Sequence, residues 1–350
     1  MRNAYVLGGL AAAVFLLGGC GGGGADGGAG RPAAATSGAH PEKRPHIPCP
    51  TPSGRLDMTL DGRAGAENAG ILMAERKGYF ADAGLHVVTL VPATPELALD
   101  YVAGGADDIG MTPQPQAVIA RAIGEPIIAI GSVISEPTAA MIWLKGSGIG
   151  DIADLEEKVI ATPGGSFQEG FLEQLLAKGG LTLDDVAVLF LGYESVPALL
   201  RGEVDAIFGD SPNIQGKALE AQGAEPEVTP VSEFGIPAYD ELVVIARSQC
   251  VAAHPAMYRH FMAAVRRGTK AAVEDPKAVL RVIEEDIEAD PEASRKQTKA
   301  QLEATLPLLS QSGHIDLAQA SELIAWMHEE GMIEHKPPVQ QLFTNEYLAP

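Results

Sequence analysis

The sequence predicts an α/β protein of two lobes, each a mostly parallel sheet flanked by helices, with a cleft between the lobes. Three observations carry this. From residue 55 onward the chain is long enough to bury two cores. Short apolar, β-branched runs alternate with helical patterns, and a parallel neighbour strand needs such a crossover helix. The same ordered set of elements then occurs twice.

In the first copy, "LDMTLDG" reads as a strand. "NAGILMAERKGYFADAGL" follows as a helix ending at Gly84-Leu85, and "HVVTLV" as a second strand. The helix "PELALDYVAGG", Asp107, the short strand "DIGM", Thr112-Pro113 and a further helix complete it. In the second copy, "KVIATPGG" is strand and loop, and "FQEGFLEQLLAKGGL" is a helix ending at Gly180-Leu181. The strand "VAVLFLG", the helix "VPALLRGE", Asp205, the strand "AIFG", Ser211-Pro212 and another helix follow.

Two apolar runs fit crossings between the copies: "IIAIGSVISEPTAAMIWLKG" on the way out and "YDELVVIARS", from Tyr239, on the return. The expected organisation is therefore a first lobe of residues 55–137 plus 242–350 and a second of 138–241. Helical patterns after the return start near Pro, Asp or Glu, as helix N-termini tend to, and are expected to complete the first lobe.

The N-terminus reads as an export signal over residues 1–19. Arg2 precedes an apolar run from Ala4 to Leu17, too short to span a bilayer comfortably. Its ending, Leu17-Gly18-Gly19-Cys20, resembles a bacterial lipobox, which implies lipidation of Cys20 and anchoring at the outer face of the cell membrane. Residues 20–54 are rich in Gly, Ala and Pro, carry few large apolar groups, and read as a disordered tether. A flexible chain of that kind spans roughly 30 Å. The chain holds three cysteines. With Cys20 assigned to lipid, Cys49 and Cys250 remain, and outside the cytoplasm they can pair as a disulfide or stay as two thiols. The formal net charge of −21 argues against nucleic acid, whose phosphates demand Lys and Arg.

Several stretches carry a family resemblance: "AGILMAERKGYFADAGLHV", "PTAAMIWLKGSGIGDIADLEEKVIATPGG", "VPALLRGEVDAIFGDSPNIQG", "IPAYDELVVIA" and the tail "WMHEEGMI…FTNEYL". They resemble bacterial ABC-transporter substrate-binding proteins of the type II periplasmic fold, in the branch of thiamine-pyrimidine-precursor and sulfonate, nitrate or taurine binders. The resemblance implies a non-enzymatic solute binder that needs no cofactor, captures a small molecule by lobe closure, and hands it as a monomer to a membrane permease driven by a separate ATPase. It also admits a thiamine pyrimidine synthase of the same fold, which uses pyridoxal phosphate. The export signal and the lack of that enzyme's cysteine-rich motif speak against the synthase. A lipoprotein with a degenerate cleft, acting as a sensor or adhesin, is a third reading. One departure matters: members of the branch often carry an Asp-Trp pair after the first strand and Asn-His before "AG", whereas this chain has Asp61-Gly62 and Glu67-Asn68.

Ligands of open α/β sheets bind at the carboxyl ends of the strands, so the site is sought in the loops 62–68, 112–115, 162–168 and 209–213. "TPGGSFQEG" lacks both the Gly-Lys-Ser/Thr ending of a P-loop and the spacing of a dinucleotide fingerprint. It reads as a cleft loop in which Gly164 and Gly165 admit close approach, Ser166 caps the following helix, and Phe167 either stacks on ligand or fills the core. Acidic and aromatic groups dominate near these loops, whereas Arg63 is the sole cation within them. Asp61, Glu67, Glu136 and Asp210 supply carboxylates. Tyr193 and Tyr239 supply rings, and Asn68, Thr112, Gln114 and Asn213 supply further polar contacts. That set suits a flat, amino-bearing heterocycle, whose faces stack and whose N–H groups donate to carboxylates. A sulfonate-type anion is the alternative. No metal ligand set stands out, since His328 and His335 do not form a His-Glu-x-x-His pair.

Overall fold

The computed structural model describes residues 48–51, 55–285 and 291–348. The expected export segment, Cys20 and all of the expected tether except residues 48–51 lie outside the described residues. Among the described residues no helix is long and apolar enough to cross a membrane.

In chain order the strands are β1 Arg55–Thr59, β2 His86–Leu90, β3 Ile109–Thr112, β4 Ile127–Ile134 and β5 Ala140–Leu144, then β6 Val159–Thr162, β7 Ala187–Phe190, β8 Ala206–Asp210, β9 Pro226–Pro230 and β10 Leu242–Arg247. They form two five-stranded sheets, ordered β2-β1-β3-β10-β4 and β7-β6-β8-β5-β9. In the first, β1 is parallel to β2 and β3, while β10 is antiparallel to β3 and β4. In the second, β6 is parallel to β7 and β8, while β5 is antiparallel to β8 and β9. Each sheet thus has one strand running against four. The opposed strand is in both cases the one entered by crossing from the other sheet. A chain that leaves β4 at its carboxyl end and crosses directly must begin β5 at that same end and run away from it, and β10 repeats the pattern after β9.

The strands form where apolar side chains suit both faces. Met141 and Trp143 of β5 pack with Ala206 and Phe208 of β8 in one core, whereas Ala140, Ile142 and Ile207 join a smaller cluster on the opposite face. In the first lobe Leu56 and Met58 of β1 pack under Ile71 and Met73, with Phe261 and Val265 above. There the helix Ala69–Arg76 crosses the helix Pro255–Glu274 at two glycines. A Cβ on Gly268 would lie 2.7 Å from Ala74 N and collide with the carbonyl of Gly70, so the backbones meet only because side chains are missing.

Three elements differ from the sequence reading. The helix expected over "NAGILMAERKGYFADAGL" breaks after Arg76, because Gly78 adopts φ 72° and restarts a short helix Tyr79–Asp82. Strand β9, "PEVTP", was not foreseen: two prolines disguise an edge strand, a place where their missing N–H is tolerated. The C-terminal helices also do not serve the first lobe alone. Trp326, on the helix Leu317–Glu329, packs edge-on against Phe171 of the second lobe with centroids 5.5 Å apart. The helix Pro291–Thr305 reaches the second lobe too, where Gln301 Nε2 donates to Ile214 O at 2.9 Å.

Cys49 and Cys250 are joined in a disulfide that links positions 201 residues apart. Cys250 lies on the helix Ser248–Ala253 directly after β10, the end of that strand remote from its crossing. Arg247 Nη2 donates to Pro48 O at 3.3 Å, so the first described residues are held on the face of the lobe away from the strand mouths.

Candidate ligand-binding site

The carboxyl ends of β1, β3, β6 and β8 open on a cavity of about 1130 Å³ between the two sheets. Several contacts bridge it from lobe to lobe. Tyr193 Oη donates to Pro92 O at 3.3 Å, and Ser166 Oγ donates to Gln116 Oε1 at 3.3 Å. Asn213 Nδ2 donates to Thr305 Oγ1 at 2.8 Å, and the Arg63 guanidinium lies 4.9 Å from the centre of the Tyr193 ring. These bonds keep the two lobes together over the cavity.

Five carboxyl groups line this space: Asp61, Glu67, Glu96, Asp210 and Glu241. Burial pushes Asp61 up, partly offset by the Asn68 amide, whose Nδ2 donates to Asp61 Oδ1 at 2.7 Å. Glu67 rises well above the usual carboxylate range, first through burial and then through repulsion from Asp61, Glu241 and Asp210. Asp210, 3% exposed, is pushed up to about 7 by burial against a smaller opposing effect of the Ser195 hydroxyl. Burial also raises Glu241, although Thr138 N and Ala139 N donate to its Oε2 at 2.6 and 3.1 Å. Asp61 and Glu67 keep part of their surface open to the cavity, yet the protein crowding around them removes most of the water that would stabilise charge. The upward shifts favour the protonated form in this set; a protonated carboxyl donates as well as accepts, whereas a carboxylate only accepts.

Thr112, Gly164, Gly165, Phe167 and Tyr193 also line the cavity. Six of the residues assigned to the ligand from the sequence do not, and each has a structural reason. Asn68 stands behind the wall and holds Asp61. Gln114, fully buried, exchanges hydrogen bonds with Asp240, Nε2 to Oδ2 at 3.2 Å and Asp240 N to Oε1 at 3.0 Å. Asn213 donates to Thr305 and also supports the Glu67 carboxyl from behind the wall. Tyr239 is fully buried against Phe171 and donates to Glu241 Oε2 at 3.3 Å, so it braces the carboxylate rather than meeting a ligand. Ser166 makes no capping bond, because the N-cap position falls on Gly165 and Ser166 is already the first helical residue. Glu136 is exposed on the outgoing crossing.

Sequence reasoning missed Glu241, Ser195, Gln168 and Glu96, all on the cavity wall. Glu241 had a signal: it follows Tyr239 in the return crossing that was already singled out. The glutamines Gln297 and Gln301 on the helix Pro291–Thr305 also reach the wall, and nothing local in that polar helix announced it. Among the described residues no group of three or more His, Cys, Asp or Glu side chains could hold a metal ion.

The family model described as "NMT1/THI5 like" matches residues 66–279. The chain belongs to the NMT1/THI5-like family. A thiamine biosynthesis protein of Haemophilus influenzae is 32% identical over 197 residues, which are 56% of this chain and 63% of that protein, so less than two thirds of that relative is spanned. The formylaminopyrimidine-binding protein of Halalkalibacterium halodurans is 24% identical over 83% of this chain and 89% of its own length. A 4-amino-5-hydroxymethyl-2-methylpyrimidine phosphate synthase of Aspergillus parasiticus is 29% identical over 65% and 69% respectively. The solved structure of the alkanesulfonate-binding protein of Xanthomonas axonopodis pv. citri superposes with a TM-score of 0.66 at 15% identity, covering 83% of this chain and 98% of that one. This NMT1/THI5-like chain therefore has the two-lobed fold of periplasmic binding proteins.

Proposed function

We propose that the protein is the extracytoplasmic solute-binding component of an ABC importer, and that it captures an amino-bearing heterocycle of the thiamine-pyrimidine-precursor class. The carboxyl-lined cavity between the sheets carries this reading. A 4-aminopyrimidine presents an exocyclic N–H₂ next to a ring nitrogen, and a carboxyl with raised pKa matches that edge. In its protonated form it donates to the ring nitrogen and accepts from the amine; as carboxylate it pairs with the protonated ring. Tyr193 offers ring surface beside it, whereas Phe167, 3% exposed, packs edge-on against Phe171 and fills the core. The relative named as a formylaminopyrimidine binder supports the same class. Lobe closure on the ligand gives a form for a permease to recognise, favoured in proportion to the ligand's differential affinity for that form.

A sulfonate would bring a negative charge up to Asp61, Glu67, Asp210 and Glu241; of the two cations on the wall, Arg201 is held by Glu203 at 2.7 Å and Arg63, stacked over Tyr193, faces five carboxyl groups. The synthase reading is disfavoured by the cysteine content: three in the chain, two of them joined to each other. That bond also supports a location outside the reducing cytoplasm, in keeping with an exported protein anchored through lipid on Cys20. Titration calorimetry of the protein with 4-amino-5-hydroxymethyl-2-methylpyrimidine and with alkanesulfonates tests the proposal. Saturable heat with the pyrimidine alone is expected; tight binding of the sulfonate alone overturns it. Mass spectrometry of the membrane-extracted protein for a diacylglyceryl group on Cys20 tests the anchor.

A further inference from the structure

The carboxyl groups of the cavity differ in how a ligand can reach them. Asp61 and Glu67 keep part of their surface open, whereas Asp210 and Glu241 are 3% and 7% exposed. Asp210 Oδ2 is buried with no donor among the described residues, so it is closed to a ligand's N–H groups as well as to water. A positive charge in the cavity still acts on it, because Coulomb attraction needs no contact and is strengthened between low-dielectric walls. Glu67 feels repulsion from Asp61, Glu241 and Asp210 together. A cation set beside Glu67 is therefore within range of all four.

The protein itself supplies little positive charge to oppose them. Of the two guanidinium groups on the wall, Arg201 is paired with Glu203 and Arg63 lies over the Tyr193 ring. The donors to Asp61 and Glu241 are amides: Asn68 Nδ2 for the first, Thr138 N and Ala139 N for the second. Neutral donors stabilise a carboxylate without cancelling its charge. Size is an independent constraint. At about 1130 Å³ the cavity exceeds the ~300–1,000 Å³ in which drug-sized ligands are held, and a single pyrimidine ring leaves most of it unfilled. Val196, Pro197, Leu200, Ile214 and Ile283 line the same space and offer apolar surface to a second ring.

We infer that the ligand is a heterocycle of at least two rings that carries a permanent positive charge, held by the field of the carboxyl cluster as well as by hydrogen bonds. This deepens the proposed function and rests on it. A neutral aminopyrimidine must take up a proton before it gains from that field, whereas a quaternary ring nitrogen brings its charge along. Without ligand, protonation relieves the crowding of the carboxyls, so arrival of a fixed cation drives protons off.

Titration calorimetry with three probes tests this. Thiamine joins an aminopyrimidine to a cationic thiazolium; 3-deazathiamine is its neutral thiophene isostere of the same size; 4-amino-5-hydroxymethyl-2-methylpyrimidine is the single ring. At neutral pH thiamine should bind at least tenfold more tightly than 3-deazathiamine, the scale of one charge-assisted contact. Its heats in phosphate and in Tris buffer should differ in the sense of proton release. Glu67→Gln and Asp210→Asn, one carboxyl open to the cavity and one closed off from it, should each lower the preference severalfold. Equal affinity for thiamine and its isostere, or a preference that both variants leave unchanged, overturns the inference, while the heterocycle reading stands if the single pyrimidine binds. Failure of the wild-type protein to bind any of the three overturns both.

Discussion

Asp210→Asn is the substitution that most directly interrogates the cavity. It replaces a carboxyl by an amide of the same shape and removes the proton equilibrium. In the folded, ligand-free protein burial moves the Asp210 carboxyl from 3.8 to about 7. Between those values the folded chain holds a proton that the unfolded chain has released, so stability falls as pH rises. The favourable contribution is fully present below about pH 4 and is lost as pH passes through about 7. At 1.36 kcal/mol per pH unit the whole effect is about 4 kcal/mol, of which about 2.5 kcal/mol falls between pH 5 and pH 8. Asp240, raised to about 6 by burial against Ser132, acts in the same direction, so the wild-type slope alone is not diagnostic. Urea unfolding of wild type and Asp210→Asn across that range isolates the difference, which should grow by about 2.5 kcal/mol in favour of the variant from pH 5 to pH 8. Parallel stability curves would mean that Asp210 ionises normally in the folded state, and the burial argument for the cavity would be wrong.

Glu67→Gln should stabilise the ligand-free protein at pH 8, because it removes one of the mutually repelling carboxylates; pyrimidine affinity measured by calorimetry should fall. Reducing Cys49–Cys250 opens a 201-residue link, for which loop closure sets a ceiling of about 5 kcal/mol. A loss of about 2–4 kcal/mol in urea unfolding with and without reductant is expected. Gly268→Ala forces a methyl group between two helices already in backbone contact and should cost about 2 kcal/mol or more by the same assay, with unchanged pyrimidine affinity of the folded fraction, since the crossing does not line the cavity.

The duplicated strand-helix order was legible because each unit is encoded locally: "KVIAT" and "AIFG" are apolar runs bounded by turn residues, and Gly84 and Gly180 stop helices where the reading placed the stops. The opposed direction of β5 and β10 was not, since direction follows from where a crossing enters a sheet and not from side-chain pattern. Asp61, Glu67 and Asp210 could be found because they follow strands. Glu96 could not: a Glu at the start of a helix is ordinarily explained by the helix dipole, and only the fold brings its carboxylate against the Gly164 loop of the other lobe. Tyr239 and Gln114 were assigned to the ligand because polar residues at strand mouths face clefts or serve the layer behind them, and sequence does not distinguish those layers.

The two crossings between the sheets and the acidic wall of the cavity meet at one residue. Glu241 precedes β10 on the return crossing, and its Oε2 accepts from Thr138 N and Ala139 N on the outgoing crossing, just before β5. Tyr239 donates to the same oxygen. The carboxylate therefore staples together the two segments about which the lobes would move, while it lines the cavity with Asp210 and Glu67. Its charge is set by the same competition that sets theirs, burial against donated N–H bonds. Glu241 thus ties the acidic wall of the cavity to both segments that cross between the lobes, so Glu241→Gln, which weakens the acceptor of three donated bonds, should loosen the crossings as well as alter the wall.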